Sequence, residues 1–546
     1  MIRAAAVTCL VLMTMGELSA KEKEAPWWKA SGSQGAVAAG GREAADAGVE
    51  ILRAGGNAAD AAVATMLVLN VTDAGSFCFG GEVPIIVYDA KRKVTEVIAG
   101  QGVAPRLATY EYFKSRDGIP RGGVQAAAVP GAPDAYITLL SRYGTKRLAD
   151  VAVPMLRELD KRKSGWQPNL AKTVRQMIAA EARSPDDRLR GLRLAADCFY
   201  RGPIARRLDE WCRANNGLLR YADLATHTTR IEEPVATKFR GHRIVKCGPW
   251  TQGPMLLQTL RLLEPLDLKK MGHNQPNYVH HVVEAMKLSF ADRDMYYADS
   301  LVTDVPLEQL LSKSYADVRR ALIDPDKASR LLQPGDPVAG KALAAKSNTP
   351  FGPKGASLDT TNCLTADQWG NVVAATPSGW GGAIAGDTGV ALGSRLQSLN
   401  TWAGHPNCIA AGKRPRITLT PTMVFKEDKP VLAICVAGGD GQEQATLQVL
   451  LNHLEFGMTP SEAVHASRFG TSHFIGSFSQ PPPRLGSLSM ENDTDTAIIG
   501  ALKKRGHTVT TTGPPFWHPC ALGLDPKTGL KHAAGDPRAK RHAAAY

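Results

Sequence analysis

The sequence lacks a long apolar run after its first 20 residues. No later stretch reaches the roughly 18 to 20 apolar residues that a membrane-spanning helix needs, so no stable membrane span is expected in the mature chain. A Cys-x-x-Cys pair is also missing, which argues against a zinc ribbon, and we expect neither a metal nor a cofactor. Nine cysteines are present, but their wide spacing assigns no disulfide pairing.

Basic residues are plentiful but not concentrated. The chain holds 65 Lys and Arg against 52 Asp and Glu, which gives a formal net charge of +13 over 546 residues. A nucleic-acid-binding protein more typically gathers its basic residues in one stripe with interleaved aromatics. Here they are scattered, apart from short clusters such as 91–93 and 503–505. The composition therefore predicts no nucleic-acid partner and a generally basic surface.

Residues 1–20 are typical of an export signal. Arg3 is followed by an apolar run over residues 4–16, and the small residues Ser19 and Ala20 end the segment. Leu18 is larger than the residue usual before a cleavage site, and an ordinary first helix or a retained anchor are the alternatives. The segment predicts a periplasmic or secreted protein from which residues 1–20 are removed.

The pattern along the chain predicts a single intertwined α+β unit. Hairpin patterns occur at residues 83–100, 360–376 and 421–441, so both ends of the chain supply strands. Residues 41–70 predict two helices, and residues 134–330 are mostly helical in pattern. Residues 324–359 hold five Pro and four Gly, which is typical of a long exposed loop.

The stretch DTTNCLTADQWGNVV begins a predicted hairpin directly after that loop. A threonine hydroxyl is a poor nucleophile in mid-chain, but at a chain terminus its own α-amine, with a pKa of about 7.7 to 8, can take the proton. Creating that terminus requires the hydroxyl of Thr360 to attack the preceding carbonyl. This attack needs a flexible segment before the threonine and a rigid strand after it, and the sequence predicts both. The β-propensity of threonine also explains a Thr-Thr pair at a strand start, so both interpretations remain open at this level.

Eight ordered blocks resemble the γ-glutamyltranspeptidase family and together span residues 34–546. The blocks are EILRAGGNAADAAVA, FGGEVPIIVYDA, FYRGPIARRLDEW, VEAMKLSFADRDMYYAD, DTTNCLTADQWGNVV, RPRITLTPTMVF, VAGGDGQEQATLQVLLN and GDPRAKRHAAAY. Members are N-terminal nucleophile hydrolases with an αββα sandwich, and their precursor cleaves itself into two subunits that stay associated. The resemblance implies a large subunit over residues 21–359 and a small catalytic subunit over residues 360–546.

The resemblance also implies the catalytic residues. Thr360 matches the nucleophile, and Thr361 matches the second threonine of its motif. Ser378 falls where the family carries a hydroxyl that supports the nucleophile, with an ordinary turn residue as the alternative. Gly438 and Gly439 match the Gly-Gly pair whose N–H groups form the oxyanion hole. Independently, two glycines between a strand and a helix start leave N–H groups that can stabilise an oxyanion.

The substrate-binding positions depart from the family pattern. Gln101 stands where the family has an arginine that binds the α-carboxylate of a γ-glutamyl donor, and Trp380 stands at a polar family position. Ser398 falls near the acidic residue that binds the donor's α-amine, and Thr418 replaces one of two paired serines. Arg395 is either a replacement ligand for the carboxylate or a solvated surface arginine.

These departures predict a self-processing amide hydrolase or acyltransferase, similar to the cephalosporin acylase and small-amide hydrolase branches. Its substrate would be a small-molecule amide. Turnover of glutathione should be poor, because Gln101 supplies neither the charge nor the bidentate fork of an arginine. A true γ-glutamyltransferase or glutathione hydrolase is the first alternative, and a processing-dead binding homologue is the second.

Overall fold

The computed structural model describes residues 26–343, 360–514 and 516–546. The predicted signal segment and the residues directly before Thr360 therefore lie outside the described ranges. The strands are, in chain order, β1 (Lys29–Gly32), β2 (Gly35–Ala39), β3 (Val83–Asp89), β4 (Val94–Gly100), β5 (Arg230–Glu232), β6 (Val235–Phe239), β7 (His242–Lys246), β8 (Gly335–Asp336), β9 (Lys341–Ala342), β10 (Cys363–Asp367), β11 (Val372–Ala375), β12 (Ala383–Ala385), β13 (Val390–Leu392), β14 (Thr422–Lys426), β15 (Lys429–Ala437), β16 (Phe469–Gly470), β17 (Ser487–Glu491), β18 (Thr508–Thr512), β19 (His518–Leu524), β20 (Lys531–Gly535) and β21 (His542–Ala545).

Helices separate many of these strands along the chain and pack against both sheets. They are α1 (Arg42–Arg53), α2 (Ala58–Thr72), α3 (Tyr110–Lys114), α4 (Ala132–Tyr143), α5 (Leu148–Val151), α6 (Val153–Asp160), α7 (Gln167–Glu181), α8 (Arg188–Tyr200), α9 (Pro203–Ala214), α10 (Tyr221–Ala225), α11 (Gly253–Leu263), α12 (Leu268–Met271), α13 (Pro276–Tyr296), α14 (Leu307–Leu310), α15 (Lys313–Arg320), α16 (Gln442–Leu454), α17 (Pro460–His465) and α18 (Thr496–Lys504). No helix in the described part of the chain is both long enough and apolar enough to cross a membrane.

The two helices predicted at residues 41–70 are confirmed, and their ends have local causes. Gly55 adopts a φ of +76° just after α1, a conformation that glycine adopts at little cost. Asn57 then caps α2: its side chain accepts hydrogen bonds from the N–H groups of Ala59 and Asp60. The carboxylate of Asp60 accepts from the N–H of Asn57 in return, which completes a capping box.

Two seven-stranded sheets form the centre of the molecule. The first has the order β21-β2-β10-β11-β3-β4-β5, and the second has the order β1-β20-β19-β15-β14-β7-β6. All neighbouring pairs in both sheets are antiparallel. Each sheet combines strands from before and after Thr360, so the prediction of one intertwined unit agrees with the observed topology.

Alternation along the strands divides the core into three layers. On β10, Cys363 packs against the helices that cover the outer face of the first sheet. Leu364 and Ala366 point the other way and pack in the apolar layer between the two sheets. A third cluster joins the second sheet to helices such as α11, α13 and α16. Helix, sheet, sheet and helix therefore follow in that order, which is the predicted αββα sandwich.

Two predicted segments contain short strands that the sequence pattern did not indicate. Residues 134–330 are mostly helical, as predicted, but β5, β6 and β7 also lie within them. These strands are short, and a tight turn with positive φ at Arg240 and Gly241 joins β6 to β7 between long helices. The described part of the predicted loop, residues 324–343, carries the small β8–β9 pair. All eight cysteines in the described ranges are free thiols.

Candidate active site

Thr360 lies at the entrance of β10, between the ends of two flanking strands. Its side chain is almost fully buried. The N–H of Thr361 donates to Pro377 O at 2.9 Å on the β11 side, and the N–H of Gly40 donates to Asn362 O at 3.1 Å on the β2 side. A Cβ at Gly40 would lie 1.8 Å from Thr361 Oγ1, so only glycine allows this approach. The flanking strands thus hold the backbone of the predicted nucleophile.

Two polar side chains contact the hydroxyl of Thr360. Its Oγ1 lies 3.3 Å from Ser378 Oγ. The amide of Gln442 is satisfied when its nitrogen donates to Val436 O at 2.9 Å and Thr418 O at 3.2 Å, and its oxygen then accepts from Thr360 Oγ1 at 3.3 Å. The hydroxyl therefore has a polar neighbour on each side, and Gln442, the first residue of α16, is one that the sequence analysis did not single out.

Arg395 contacts Ser378 rather than bulk solvent. Its Nη2 donates to Ser378 Oγ at 2.9 Å, and its Nε donates to Glu82 Oε1 at 2.6 Å. All three side chains are buried, so the alternative of a solvated surface arginine is wrong. Because Ser378 Oγ accepts from Arg395, its own proton can be donated towards Thr360 Oγ1. Backbone hydrogen bonds between Ser378 and Glu82, both 3.0 Å long, hold this arrangement in place.

The predicted oxyanion turn follows β15 directly. Gly438 and Gly439 have φ values of +147° and +57°, both in the region that favours glycine. A Cβ on Gly438 would lie 2.5 Å from Trp517 Cδ1, which also requires glycine there. Gly438 lines the same cavity as Thr360. Backbone N–H groups in a turn of this type are suitable donors to an anionic oxygen.

The remaining predicted residues are not all brought to Thr360. Thr418 reaches the site through its backbone oxygen, which accepts from Gln442. Gln101 is buried after β4, and its described hydrogen bond runs from Nε2 to Gly102 O at 3.0 Å. Ser398 is buried, and its backbone oxygen accepts from Asn407. Trp380 is partly exposed with its ring centroid 6.2 Å from that of Trp166. The substrate-binding roles of these residues stay predictions.

A cavity of about 300 Å³, which we call the Thr360 cavity, opens beside Thr360. It is lined by Gly40, Asp73, Ser76, Thr360, Ala437, Gly438, His518, Ala539, Lys540 and Arg541. The Nη1 of Arg541 donates to Gly40 O at 2.8 Å and lies 3.3 Å from Asp73 Oδ2, while its Nη2 lies 3.2 Å from His518 Nδ1. Burial first, and the charge of Arg541 second, lower the pKa of His518 to about 4, so this imidazole is neutral at pH 7.

Sequence reasoning missed the charged residues of this cavity. Arg541 stands inside the quoted block GDPRAKRHAAAY, but no local signal distinguishes it from surface arginines. Its place follows from strand register: His542 pairs with Ala39 across β21 and β2, which sets Arg541 beside Gly40. The same holds for His518, which pairs with Ala437 next to the Gly438 turn.

One cluster in the described ranges has the composition of a metal site. His280, Glu284 and His507 bring their ligand atoms within 4.8 Å of one another. However, His280 Nδ1 and His507 Nε2 are hydrogen-bonded to each other at 2.9 Å, and Lys287 Nζ lies 2.6 Å from Glu284 Oε1. Burial lowers the pKa of His280 to about 4 and that of His507 to about 3. The rings of His280 and His507 are therefore a neutral, hydrogen-bonded pair, and the carboxylate of Glu284 is paired with the ammonium of Lys287. These contacts use the atoms that would bind a metal ion.

The family resemblance is confirmed by comparison with known proteins. The model of the family described as gamma-glutamyltranspeptidase matches residues 44–161 and 155–546. Among solved structures, the crystal structure of cephalosporin acylase from Bacillus halodurans superimposes with a TM-score of 0.80 at 26% identity, covering 98% of this chain and 99% of that one. Sandwich and site thus define a mixed α/β protein with the N-terminal nucleophile hydrolase fold. The chain belongs to the γ-glutamyltranspeptidase family.

Curated relatives carry more than one activity in their names. The chain is 32% identical over 549 residues to the acylase ACY 1 proenzyme of a Pseudomonas species, covering 92% of each protein. It is 28% identical over 542 residues to the glutathione hydrolase proenzyme of Bacillus subtilis, covering 92% of this chain and 90% of that protein. Family membership therefore defines hydrolase or transferase chemistry on amides, and it does not by itself define the substrate.

Proposed function

We propose that this protein is a self-processing amide hydrolase or acyltransferase with Thr360 as its N-terminal nucleophile. The observation that carries the proposal is the position of the Thr360 hydroxyl, between Ser378 Oγ and the amide of Gln442 at 3.3 Å each. The Gly438 turn lines the same cavity. This arrangement supplies a nucleophile, a supporting hydroxyl and N–H donors for an oxyanion.

Processing is an acyl shift followed by hydrolysis. Thr360 Oγ attacks the carbonyl carbon of Asp359, an ester C–O bond forms, and the peptide C–N bond breaks as the nitrogen takes up the hydroxyl proton. Water then hydrolyses the ester, which restores the hydroxyl of Thr360 and leaves Asp359 with a carboxylate. Ser378, which accepts from Arg395, can donate to the attacking oxygen and orient it.

Turnover uses the amine that processing releases. The α-amine of Thr360 takes the hydroxyl proton, Oγ attacks the amide carbon of the substrate, and the departing amine receives the proton. The acyl-enzyme ester is then attacked by water in hydrolysis or by an acceptor amine in transfer. The oxyanion formed in each step would accept hydrogen bonds from the N–H groups of Gly438 and Gly439.

The substrate we favour is an amide whose acyl part lacks an α-ammonium group. Gln101 is neutral, and Ser398 supplies no carboxylate to pair with such an ammonium. The acylase ACY 1 relative from Pseudomonas is consistent with this preference. The glutathione hydrolase relative from Bacillus subtilis supports the alternative, in which other residues bind the γ-glutamyl group.

The first experiment tests processing. Purified protein should separate into two fragments on a denaturing gel, and the smaller one should begin Thr-Thr-Asn-Cys on N-terminal sequencing. Thr360→Ala should stay uncut and inactive because one hydroxyl serves both steps, whereas Thr360→Ser should retain part of each. A stable uncut chain with full amidase activity would refute the proposed nucleophile.

The second experiment tests substrate choice on the processed enzyme. Steady-state kinetics should compare glutathione and a γ-glutamyl anilide with glutaryl and oxamate amides. Loss of both charged partners of a γ-glutamyl donor should lower kcat/KM by about two to four powers of ten. A kcat/KM for glutathione above about 10⁴ M⁻¹s⁻¹, the lower end of the usual enzyme range, would favour the glutathione hydrolase alternative.

A further inference from the structure

Arg541 is a buried cation in the Thr360 cavity with hydrogen-bonding capacity to spare. It is only 6% exposed, and its Nε has no hydrogen-bond partner among the described residues. Both protons of Nη1 are accounted for by Gly40 O and Asp73 Oδ2, and one proton of Nη2 points to His518 Nδ1. Nε is buried out of reach of solvent, so the second Nη2 proton is the donor that remains for an oxygen atom of a ligand.

The neighbours of Arg541 hold it in place without neutralising the cavity. Among the described residues that line the cavity, Asp73 is the one carboxylate, and Lys540 adds a second cation. The side chain of Asp73 is 23% exposed, so its pairing with Arg541 is partly screened by solvent. His518 accepts from Arg541 through Nδ1, so its single proton is on Nε2 and the ring carries no charge. The described lining of the cavity therefore keeps a net positive charge beside Thr360.

The position of Arg541 is fixed from several directions. Its backbone N–H donates to Asp536 O at 3.1 Å, and Lys540 before it adopts a left-handed φ of +53° that turns the chain into β21. Gly40 carries no side chain, and a Cβ there would lie 3.1 Å from Arg541 Nη1 and 1.8 Å from Thr361 Oγ1. The guanidinium is thus a near neighbour of the Thr360–Thr361 pair, held rigidly enough to select a ligand.

We propose that the Thr360 cavity is a carboxylate subsite and that Arg541 is its specificity-determining cation. The inference rests on the proposed function and names a property of its substrate: the amide carries a carboxylate, in the acyl part or in the leaving amine, within reach of Arg541. Such a charge-assisted contact makes discrimination against a neutral analogue of equal shape large.

Matched substrate pairs test the subsite. In the first pair, a glutaryl anilide is compared with the same anilide whose terminal carboxylate is a carboxamide. In the second pair, a common acyl group is joined to 4-aminobenzoate or to 4-aminobenzamide. The wild-type enzyme should prefer the carboxylate member of one pair, and that pair identifies whether the acyl or the leaving side occupies the cavity.

Variants then assign the preference to Arg541. Arg541→Gln should lower kcat/KM for the carboxylate member about 10- to 100-fold and leave the carboxamide member within about twofold. Lys527→Gln removes an exposed cation outside the cavity lining and is the control, and it should keep the preference. If Arg541→Gln does not process, Arg541→Lys is used instead, because it keeps the charge but replaces the planar guanidinium by a single ammonium, and it should reduce the preference selectively.

Three results would overturn the subsite: no carboxylate preference of the wild-type enzyme in either pair, an equal loss on both members of a pair in the Arg541 variants, or the same effect from Lys527→Gln. Each of these leaves processing and amidase activity of the wild-type enzyme in place. A wild-type protein that neither cleaves itself nor hydrolyses any amide would instead refute the proposed function, and the subsite with it.

Discussion

Replacing Arg395 by methionine should cost this protein stability and rate together, whatever the charge of the substrate. Arg395 and Glu82 form an ion pair in which both side chains are at most 3% exposed, and the same guanidinium donates to Ser378 Oγ at 2.9 Å. Arg395→Met keeps much of the apolar volume but leaves the buried carboxylate of Glu82 without this counter-charge. It also removes the donor that orients the hydroxyl next to Thr360.

The size of both effects follows from burial. Removing one partner of a buried ion pair typically costs about 3 to 5 kcal/mol, against a total of about 5 to 15 kcal/mol for a folded domain. Urea unfolding followed by circular dichroism should therefore show a clearly lower midpoint for Arg395→Met. Loss of one supporting contact at the proposed nucleophile, Thr360, should lower kcat about 10- to 1000-fold, equally on neutral and carboxylate-bearing amides.

The double variant Glu82→Gln, Arg395→Met separates the two effects. With the carboxylate removed as well, the unfolding midpoint should recover most of its loss, while kcat should stay low because Ser378 still lacks its donor. The opposite result would refute this reasoning: an Arg395→Met protein that processes normally, hydrolyses neutral amides at the wild-type rate and fails only on carboxylate-bearing ones. Arg395 would then be the substrate ligand that the sequence analysis considered.

Three further outcomes are expected. Ser378→Ala should lower kcat about 10- to 1000-fold, and an unchanged kcat with normal processing would exclude its supporting role. Gly40→Ala should give uncut or misfolded protein on a denaturing gel, because its Cβ would lie 1.8 Å from Thr361 Oγ1; normal cleavage would show that the strands can shift. Burial lowers the pKa of His405 and of His473 to about 4, and each Nδ1 accepts from an N–H while Nε2 donates to a carbonyl. The unfolded chain therefore binds more protons between about pH 6.5 and 4, so the urea midpoint should be highest above pH 6.5 and fall across this window; His405→Gln should flatten that fall, and an unchanged slope would argue that this ring titrates normally.

The parts of the fold that could be predicted have local causes. The boundary between α1 and α2 follows from a glycine with positive φ and an asparagine cap, both readable from Gly55 and Asn57. The β10–β11 and β14–β15 hairpins follow from short apolar runs separated by polar turns. The strands β5 to β7 were missed because they are short and stand among long helices, where the periodicity of their neighbours dominates a window of sequence.

The site divides in the same way. Thr360, Ser378 and the Gly438 turn were expected from ordered blocks, and the structure brings them together. Gln442 and Arg541 were not, although both stand in quoted blocks. Gln442 is placed by the turn that joins β15 to α16, whereas the place of Arg541 depends on register between strands far apart in sequence, namely the pairing of β21 with β2. A one-residue shift in that pairing would turn the arginine to the other face of the sheet, and sequence pattern alone does not fix register at this distance.

The interleaving of the sheets also constrains the order of events. β10 hydrogen-bonds to β2 on one side and to β11 on the other, and β2 in turn pairs with β21, the last strand of the chain. A fragment that begins at Thr360 would therefore lack the neighbour that covers one edge of β10, the Thr360 cavity would lack Gly40 and Asp73, and Arg395 would lack Glu82. The proposed cleavage should follow folding of the segments on both sides of the bond to be cut, because Ser378 and Arg395, which orient the hydroxyl, are themselves held by Glu82 from the other side of that bond. Self-cleavage therefore reports that the segments on both sides of the bond have folded together. A variant that folds but stays uncut has lost a residue needed for the reaction, whereas a variant that neither folds nor cleaves has lost the fold.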